Sequence, residues 1–414
     1  MDVFRITGGS RLCGRVRVGS AKNAVLPILA ASILTDEPVE IEGFPALNDT
    51  QNMVSILETL GCRCDVSKGR ARIDASGASR WEMPDELSKA LRSSIFMMGP
   101  ILGRFRKAVV TYPGGCEIGL RPIDLHLKGL RALGVQIRES HGMIYCDGSR
   151  LCGDEVNLDF PSVGATENLM MAAATAPGTT VIHNPAREPE IGDLERFMNA
   201  MGARVSGSGT GRITVEGVKK LHGATFRPMV DRIVTGTLLT AAAMTGGEIE
   251  LEGAQAGDLR AVMHKLVQAG CDVRCAPGLI ALKAPKALKA IEVSTQPFPG
   301  FPTDMQAQIM AMCCIADGAS VVVENVFENR FAHAAQLRCM GADIMVTDRI
   351  AVIRGGALNG AKVAARDLRG GAALVLAGLA AEGVTEVEGA GLIDRGYEKL
   401  EDMIFALGGR IERV

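Results

Sequence analysis

The alternation of apolar and polar positions follows one phrase that recurs along the whole chain. This phrase places an apolar residue and a glycine at the end of an amphipathic helical stretch, and alternating polar and apolar positions after it. Its glycines, separated by 73, 68, 68, 71 and 67 residues, are Gly61, Gly134, Gly202, Gly270, Gly341 and Gly408. Glycine suits a left-handed cap at a helix end, and the alternation after it is typical of a strand. The spacing therefore predicts six repeated units.

A second pattern in each unit is a helix that is apolar nearly all round, followed by a turn of small residues and a short strand. Two of its six copies are LPILAASILTDEPVEIEG and GTLLTAAAMTGGEIELEGA. A helix without a polar face is expected to be buried inside a domain. Together the two patterns predict that each unit runs strand, helix, strand, helix, strand, strand, in a βαβαββ order.

The two ends of the sequence complete each other in this scheme. The last copy of the phrase, LGGRIERV, stops where the other copies continue into a further strand, and residues 1–14 supply such a strand. We therefore expect the N-terminal strand to complete the sixth unit. Six units divide into two domains of three, predicted as residues 22–229 and as residues 1–21 together with 230–414. Two chain crossings between domains suit closure on a substrate in the cleft between them, where the active site is expected.

Composition narrows the possible partners. The chain has 45 Lys and Arg against 47 Asp and Glu, a net charge of −2, so no basic field is present to hold nucleic acid or an anionic membrane. No apolar run reaches the ~18 residues of a membrane span or resembles a signal peptide. The 11 cysteines form no CxxC pair and no Cys/His cluster at zinc spacing. These features predict a cytoplasmic protein with reduced thiols and with no metal or cofactor.

Candidate binding residues align at the starts of the apolar helices. They are Lys22 and Asn23, Arg92, Ser162 to Ala165, Asp231 and Arg232, Asp304, and Asp367 to Arg369. Free amides and a partial positive charge at several helix starts make an anion site without net basic charge. Ser and Asp are equally well explained as ordinary N-caps. Cations oppose the helix dipole there, so Lys22 in particular predicts a bound phosphate or carboxylate.

Loops after the short strands carry a second set of candidates. Cys116 follows Pro-Gly-Gly and precedes Arg121, and both a helix start and a nearby cation lower a thiol pKa. A reactive role for Cys116 is one hypothesis, and a small buried hydrophobe is the other. For the other ten cysteines, burial is the simpler interpretation. The six histidines show no HxH or HExxH spacing, and they are interpreted as packed or solvated residues.

Seven segments carry a resemblance to a known family. GSAKN, PGGCEIGLRP, NPAREPEIGD, FPTDMQAQ, VFENRF, DLRGGAALVLAG and IDRGYE closely resemble, in order and over essentially the whole chain, the UDP-N-acetylglucosamine 1-carboxyvinyltransferases. The 5-enolpyruvylshikimate-3-phosphate synthases are less similar, since they share the fold but lack the PGGC loop and a catalytic cysteine. The resemblance implies an α/β fold of two inside-out α/β barrels, built from six βαβαββ-type repeats with three per domain.

The resemblance also implies a reaction. The family moves the enolpyruvyl group of phosphoenolpyruvate to the 3-hydroxyl of UDP-N-acetylglucosamine through a tetrahedral ketal and releases phosphate, which is the first committed step of peptidoglycan synthesis. It needs no metal or cofactor. Its partners are these two small molecules, with no nucleic acid and no membrane.

Residue roles follow from the matched motifs. Cys116 is implied as the acid toward the methylene carbon or in product release and as the residue that fosfomycin alkylates, Asp304 as the base for the 3-hydroxyl, and Asp367 as a further residue of the catalytic pocket. The residues implied to hold phosphoenolpyruvate are Lys22, Asn23, Arg92, Arg121, Arg369 and Arg395, of which Lys22 and Arg395 are also taken as catalytic. The residues implied to hold UDP-N-acetylglucosamine are Arg92, Arg121, Pro122, Ile123, Asp124, Leu125, Ser162, Val163, Gly164, Asp304 and Val326.

Two residues depart from the family pattern, and two alternative functions remain open. Phe160 and Asn48 stand where the family often has lysine, so nucleotide binding is expected to be weaker or to rely on backbone amides. One alternative is an enolpyruvyl transferase for another hydroxyl acceptor. A second is a non-catalytic regulatory paralogue that binds a UDP-sugar, although such a protein has no need of both Cys116 and Asp304.

Overall fold

A computed structural model describes residues 2–84, Glu86, Ser88, 92–112 and 123–414, with the backbone alone for residues 92–94. The described chain divides into two compact units. The continuous unit comprises the described residues of 20–229. The discontinuous unit comprises residues 2–19 and 230–414.

The strands of the continuous unit form three sheets. Their orders are β13-β3-β5-β4, β6-β8-β7 and β9-β10-β12-β11. The strands are β3 Val39–Glu42, β4 Arg63–Ser67, β5 Arg70–Asp74, β6 Lys107–Thr111, β7 Gln136–Ser140, β8 Met143–Asp147, β9 Glu155–Asn157, β10 Thr179–His183, β11 Arg204–Ser206, β12 Arg212–Glu216 and β13 Thr225–Phe226.

The strands of the discontinuous unit form three further sheets. Their orders are β2-β14-β16-β15, β17-β18-β20-β19 and β21-β22-β1-β23. The strands are β1 Val3–Thr7, β2 Cys13–Arg17, β14 Glu248–Glu252, β15 Asp272–Ala276, β16 Leu279–Lys283, β17 Glu292–Ser294, β18 Ala319–Val323, β19 Asp343–Thr347, β20 Ile350–Arg354, β21 Lys362–Ala364, β22 Val384–Glu388 and β23 Arg410–Arg413.

One plan underlies the six sheets. An edge strand runs parallel to its neighbour, which pairs antiparallel with a third strand, and the third pairs antiparallel with the other edge strand, as in β17, β18, β20 and β19. In the sheet of β6, β8 and β7, a single parallel bridge from Glu82 to Val109 takes the place of the parallel edge strand. The six predicted βαβαββ units are confirmed.

In each unit, a strand near one end of the unit pairs with a strand near its other end. β1 pairs antiparallel with β22, with Phe4 opposite Val387, and with β23, with Ile6 opposite Ile411. This confirms the prediction that the N-terminal strand completes the sixth unit. β13, at the end of the continuous unit, likewise runs parallel to β3 near its start. The sequence patterns did not indicate this second pairing, because β13 has only two residues.

Helices are of two kinds. The apolar ones are α1 Lys22–Ala31, α3 Met98–Phe105, α5 Val163–Ala173, α7 Arg232–Met244, α9 Gln306–Cys313 and α11 Leu368–Ala380. The others are α2 Asn48–Thr59, α4 Asp124–Ala132, α6 Pro189–Ala200, α8 Arg260–Gln268, α10 Ala332–Cys339, α12 Ala390–Ile393 and α13 Leu400–Ala406. Every residue of α7 and of α9 is buried, which confirms that the apolar helices form the interior of their units.

Close helix contact explains one glycine in the interior of the continuous unit. A Cβ at Gly99 of α3 would lie 2.3 Å from the carbonyl oxygen of Asn168 in α5, so only glycine fits. The Asn168 amide oxygen accepts a hydrogen bond from the Gly99 N–H at 2.6 Å. These contacts hold α3 against the middle of α5, the helix whose start carries Ser162 to Gly164.

The interpretation of the cysteines was partly wrong. Cys62, Cys146, Cys271, Cys313 and Cys314 are buried as expected and Cys64 is half-buried, but Cys13, Cys152, Cys275 and Cys339 are exposed. Residue type alone does not say which face of an element a side chain occupies. Cys13 and Cys275, for example, lie on edge strands whose outer positions face solvent. None of the helices among the described residues is long and apolar enough to span a bilayer.

Candidate active site

Two of the predicted carboxylates in the discontinuous unit cap helices. Asp231 accepts hydrogen bonds from the N–H groups of Ile233 and Val234 at 2.8 and 2.9 Å, at the start of α7. Asp367 accepts from Arg369 and Gly370, both at 2.9 Å, at the start of α11. The N-cap explanation that the sequence left open therefore applies to both residues.

Asp304 has different partners. It lies in a single 3-10 turn, Thr303–Met305, directly before α9. Its carboxylate accepts hydrogen bonds from Nη2 of Arg330 at 2.7 Å and from Nη2 of Arg369 at 3.0 Å. The exposed fraction of the side chain is 28% for Asp304, 5% for Arg330 and 4% for Arg369. Two nearly buried cations thus hold one carboxylate that solvent can still reach.

Charge at this cluster sets the protonation state of Asp304. Burial alone would raise its pKa, but the guanidinium groups of Arg369 and Arg330 outweigh that effect and hold the pKa well below its usual range. Asp304 is therefore ionised at neutral pH. The same ion pair raises the pKa of Arg369, against the opposite effect of its burial.

Arg330 and Arg369 both have hydrogen-bond donors that no described residue uses. Arg369 lies over the ring of Tyr397 at 5.3 Å and Arg330 over the ring of Phe327 at 5.1 Å, contacts that favour a cation. Their Nε and Nη1 atoms are buried, and no described residue accepts a hydrogen bond from them. Such donors are unusual inside a protein unless a ligand uses them. The cluster can therefore bind an anion in addition to Asp304.

A buried network of hydrogen bonds lies next to the cluster of Asp304, Arg330 and Arg369. Tyr397 is fully buried, and its hydroxyl lies 2.9 Å from Oγ1 of Thr237. The Gln308 amide donates to the Tyr397 hydroxyl at 3.0 Å and to the carbonyl oxygen of Asp304 at 3.0 Å. This network joins α7, α9 and the segment after α12, and it fixes the backbone at Asp304. Sequence analysis missed it, because the three residues are separated by 71 to 160 positions.

Glu324 orders the loop that follows β18. This fully buried carboxylate accepts hydrogen bonds from the hydroxyl groups of Thr295 and Thr303, both at 2.9 Å. It also accepts from the N–H groups of Val326 at 2.8 Å and Phe327 at 3.1 Å. Glu324 thus ties the segment of the predicted sugar contact Val326 to the turn that holds Asp304.

Two further residues of the discontinuous unit are Arg395, a predicted ligand of phosphoenolpyruvate, and His333, which lies near Asp367 and Arg330. Arg395 is half-buried in the turn after α12. His333, in the first turn of α10, is 2% exposed, and burial lowers its pKa to about 4 despite the nearby carboxylate of Asp367. His333 is neutral at pH 7.

In the continuous unit, Lys22 begins α1 and pairs with the buried carboxylate of Asp49 on α2. The exposed fraction of the two side chains is 10% and 2%. Asp49 thus supplies a negative charge for this cation from within the protein, so the position of Lys22 at a helix start does not by itself require an external anion. The predicted contact of Lys22 with phosphoenolpyruvate stays a prediction. Asn23, the next residue, is half-buried.

The predicted nucleotide contacts of the continuous unit lie at the starts of α4 and α5. Ser162 caps α5 by accepting a hydrogen bond from the Ala165 N–H at 3.4 Å, and Val163 and Gly164 follow, half-buried. At the start of α4, Ile123 is buried, Asp124 exposed and Leu125 half-buried. Phe160 is 45% exposed, and Asn48 begins α2. Cys116, Arg121, Pro122 and the side chain of Arg92 lie outside the described residues.

Known proteins with similar sequences extend over the full length of the chain. The family model for EPSP synthase (3-phosphoshikimate 1-carboxyvinyltransferase) matches residues 6–404. UDP-N-acetylglucosamine 1-carboxyvinyltransferase 2 of Caldanaerobacter subterraneus subsp. tengcongensis is 51% identical, with 100% of each chain covered. UDP-N-acetylglucosamine 1-carboxyvinyltransferase of Geotalea uraniireducens is 46% identical, again over 100% of both chains. The chain belongs to the UDP-N-acetylglucosamine 1-carboxyvinyltransferases of the EPSP synthase family.

Solved structures show the same fold at lower identity. The enolpyruvyl transferase NikO from Streptomyces tendae superposes on this carboxyvinyltransferase with a TM-score of 0.90 at 23% identity, over 100% of this chain and 99% of that one. EPSP synthase from Acinetobacter baumannii gives a TM-score of 0.76 at 21% identity, over 100% of both chains. The predicted enolpyruvyl transferase fold is thereby confirmed. In the described part of this carboxyvinyltransferase, no group of three or more His, Cys, Asp or Glu side chains is arranged to hold a metal ion.

Proposed function

We propose that this protein transfers the enolpyruvyl group of phosphoenolpyruvate to the 3-hydroxyl of UDP-N-acetylglucosamine and releases phosphate, as the first committed step of peptidoglycan synthesis in the cytoplasm. The observation that supports the chemistry most is the carboxylate of Asp304, held ionised between Arg330 and Arg369. A carboxylate beside buried cations with free donors can take a proton from a hydroxyl while an anion binds next to it.

Phosphoenolpyruvate carries a carboxylate and a phosphate, so it needs several cations. We assign Lys22 of the continuous unit, Arg369 and Arg395 of the discontinuous unit, and Arg121 to this task. Neutralising both anionic groups polarises the double bond. Cys116 then protonates the methylene carbon, which gives an oxocarbenium-like state. In this proposal both sets of residues bind the same substrate molecule.

Asp304 accepts the proton of the 3-hydroxyl as the sugar oxygen bonds to the carbon that carries the phosphate. The resulting ketal then loses phosphate from that carbon and a proton from the methyl group, which restores the double bond. The low pKa of Asp304 makes it a weak base while both arginines contact it. An arriving anion that draws on the same guanidinium groups weakens their hold, and the pKa of Asp304 then rises toward a value better suited to proton transfer. Substrate binding and activation of the base are thereby linked.

Phosphate release from phosphoenolpyruvate tests the proposal. The assay compares UDP-N-acetylglucosamine with shikimate 3-phosphate as the acceptor, and we expect release only with the UDP-sugar. Asp304→Asn should lower kcat by roughly 10² to 10⁴. Asp343→Asn, which removes an exposed partner of Arg354, is the matched control and should retain full activity. No release with the UDP-sugar, or full activity of Asp304→Asn, contradicts the proposal.

A further inference from the structure

Arg413, the last residue of β23, binds two carboxylates with two hydrogen bonds each. Its Nε and Nη2 donate to Asp2 at 2.6 Å each, and its Nη1 and Nη2 donate to Asp394 at 3.1 and 2.5 Å. A third carboxylate, Glu401, lies 3.5 Å from Nη1. Paired two-bond contacts to a planar guanidinium fix geometry far better than single surface ion pairs, even with Arg413 34% exposed.

The backbone around Asp2 ties the same region to the sheet. The carbonyl oxygen of Asp2 accepts hydrogen bonds from the N–H groups of Gly389 and Ala390 at 3.1 and 3.2 Å, at the start of α12. Val3 and Val414 exchange backbone hydrogen bonds at 3.1 and 2.9 Å. Asp2 therefore holds the start of α12, and Arg413 holds Asp394 at its end.

The segment held in this way carries Arg395. α12 has only four residues, too few for a helix to be stable without external contacts. Arg395 follows Asp394 directly and lies two residues before Tyr397, whose buried hydroxyl contacts Thr237. The backbone at Arg395 is thus anchored on one side by Arg413 and on the other by the buried network.

We propose that Arg413 is a positioning residue for Arg395, which sets how well the enzyme binds the anionic groups of phosphoenolpyruvate. This inference rests on the proposed function, since it takes Arg395 as a ligand of that substrate. Arg413 reaches no substrate itself in this scheme. It acts by holding Asp394 and Asp2, so that Arg395 meets the anion in one orientation. Lysine cannot form both two-bond contacts and should replace Arg413 only in part.

Three variants and two measurements test this inference. Arg413→Met should raise the KM for phosphoenolpyruvate about fivefold, with the KM for the UDP-sugar and kcat within about twofold of the wild type. Arg413→Lys should recover part of the loss. Arg5→Met is the matched control, because Arg5 lies on β1 of the same sheet and pairs with Glu386 and Glu412, outside the Arg395 turn. Arg5→Met should leave both KM values unchanged.

Amide hydrogen exchange over residues 389–397 provides the second measurement. Arg413→Met should speed exchange there, and Arg5→Met should not. An unchanged KM for phosphoenolpyruvate in folded Arg413→Met, or an equal effect of both variants, overturns the inference. If the wild-type protein releases no phosphate at all, the proposed function fails instead, and the exchange rates still decide whether Arg413 holds the turn.

Discussion

Replacing Arg330 by methionine removes one of the two cations that hold Asp304. Arg369 stays in contact at 3.0 Å, so the carboxylate keeps a partner and no buried charge is stranded. Methionine is apolar and long enough to keep the contact with the Phe327 ring. Burial, which favours the protonated carboxyl group, is then opposed by one guanidinium group instead of two. The pKa of Asp304 should rise.

The size of the effect follows from the geometry. Two unit charges about 4 Å apart at an effective dielectric constant of about 20 attract each other by roughly 4 kcal/mol. Asp304 is 28% exposed, so solvent screens part of this, and roughly 1.4 kcal/mol or more should remain. That energy moves the acid limb of the pH profile of kcat/KM to higher pH by about one pH unit or more.

The assay is phosphate release from about pH 3 to pH 8, a range that includes the region below the usual carboxyl pKa where Asp304 titrates, with folding of each variant checked by circular dichroism at each pH. Arg330→Lys keeps a positive charge and should shift the acid limb less. Arg349→Met, which removes an exposed partner of Glu328 from the neighbouring loop, should leave it in place. An acid limb at the wild-type pH in folded Arg330→Met would refute the argument that Arg330 lowers the pKa of Asp304.

Three further predictions follow from the buried charges and the thiols. Asp49→Asn should lower the free energy of unfolding in urea by about 3 kcal/mol, because it leaves its lysine partner buried without this carboxylate. Asp36→Asn removes a carboxylate that is 62% exposed and should cost under about 1 kcal/mol, because its nearly buried partner Arg104 keeps hydrogen bonds to three backbone carbonyl oxygens, and equal losses would contradict the account. Burial lowers the pKa of His126 and His333 to about 4, so the unfolded chain takes up these protons first and stability should fall from about pH 6.5 to pH 4 by up to about 3 kcal/mol per histidine. His333→Asn should flatten that dependence in urea titrations, and an unchanged slope would count against it. Fosfomycin should label Cys116 alone, since the buried thiols have raised pKa values and the four exposed ones lie on other segments, and mass-spectrometric labelling of any other cysteine would disprove this.

The repeat pattern predicted the fold from local signals. Glycines such as Gly61 and Gly408 adopt the left-handed conformation after a helix, with φ of 102° and 88°, as their place in the repeated phrase requires. The absence of a polar face in the apolar helices likewise predicted that they are buried. Periodicity is local in sequence, so it can be detected without knowing which elements meet. β13 was not predicted, because a strand of two residues shows no periodicity.

The sequence singled out Asp304, Asp367 and Arg369 as candidates because they lie at helix starts or in recognisable motifs. The structure joins Asp304 and Arg369 in one ion pair and shows Asp367 as a helix N-cap. Arg330 and the buried network around Tyr397 were not singled out, because their partners lie 26 to 160 positions away and a lone Arg or Tyr resembles many others. Asp49 was missed for the same reason, and so the charge of Lys22 was attributed to a ligand alone. Long-range ion pairs depend on packing, which residue spacing does not encode.

Identification of the product tests the central claim most directly. Nuclear magnetic resonance of the sugar nucleotide isolated after incubating the protein with phosphoenolpyruvate and UDP-N-acetylglucosamine would show where the new group is attached. Our account predicts vinyl protons on an enol ether at the 3-oxygen of the sugar, with one phosphate released for each sugar modified. Unmodified UDP-N-acetylglucosamine, or an enolpyruvyl group at another oxygen, would contradict it.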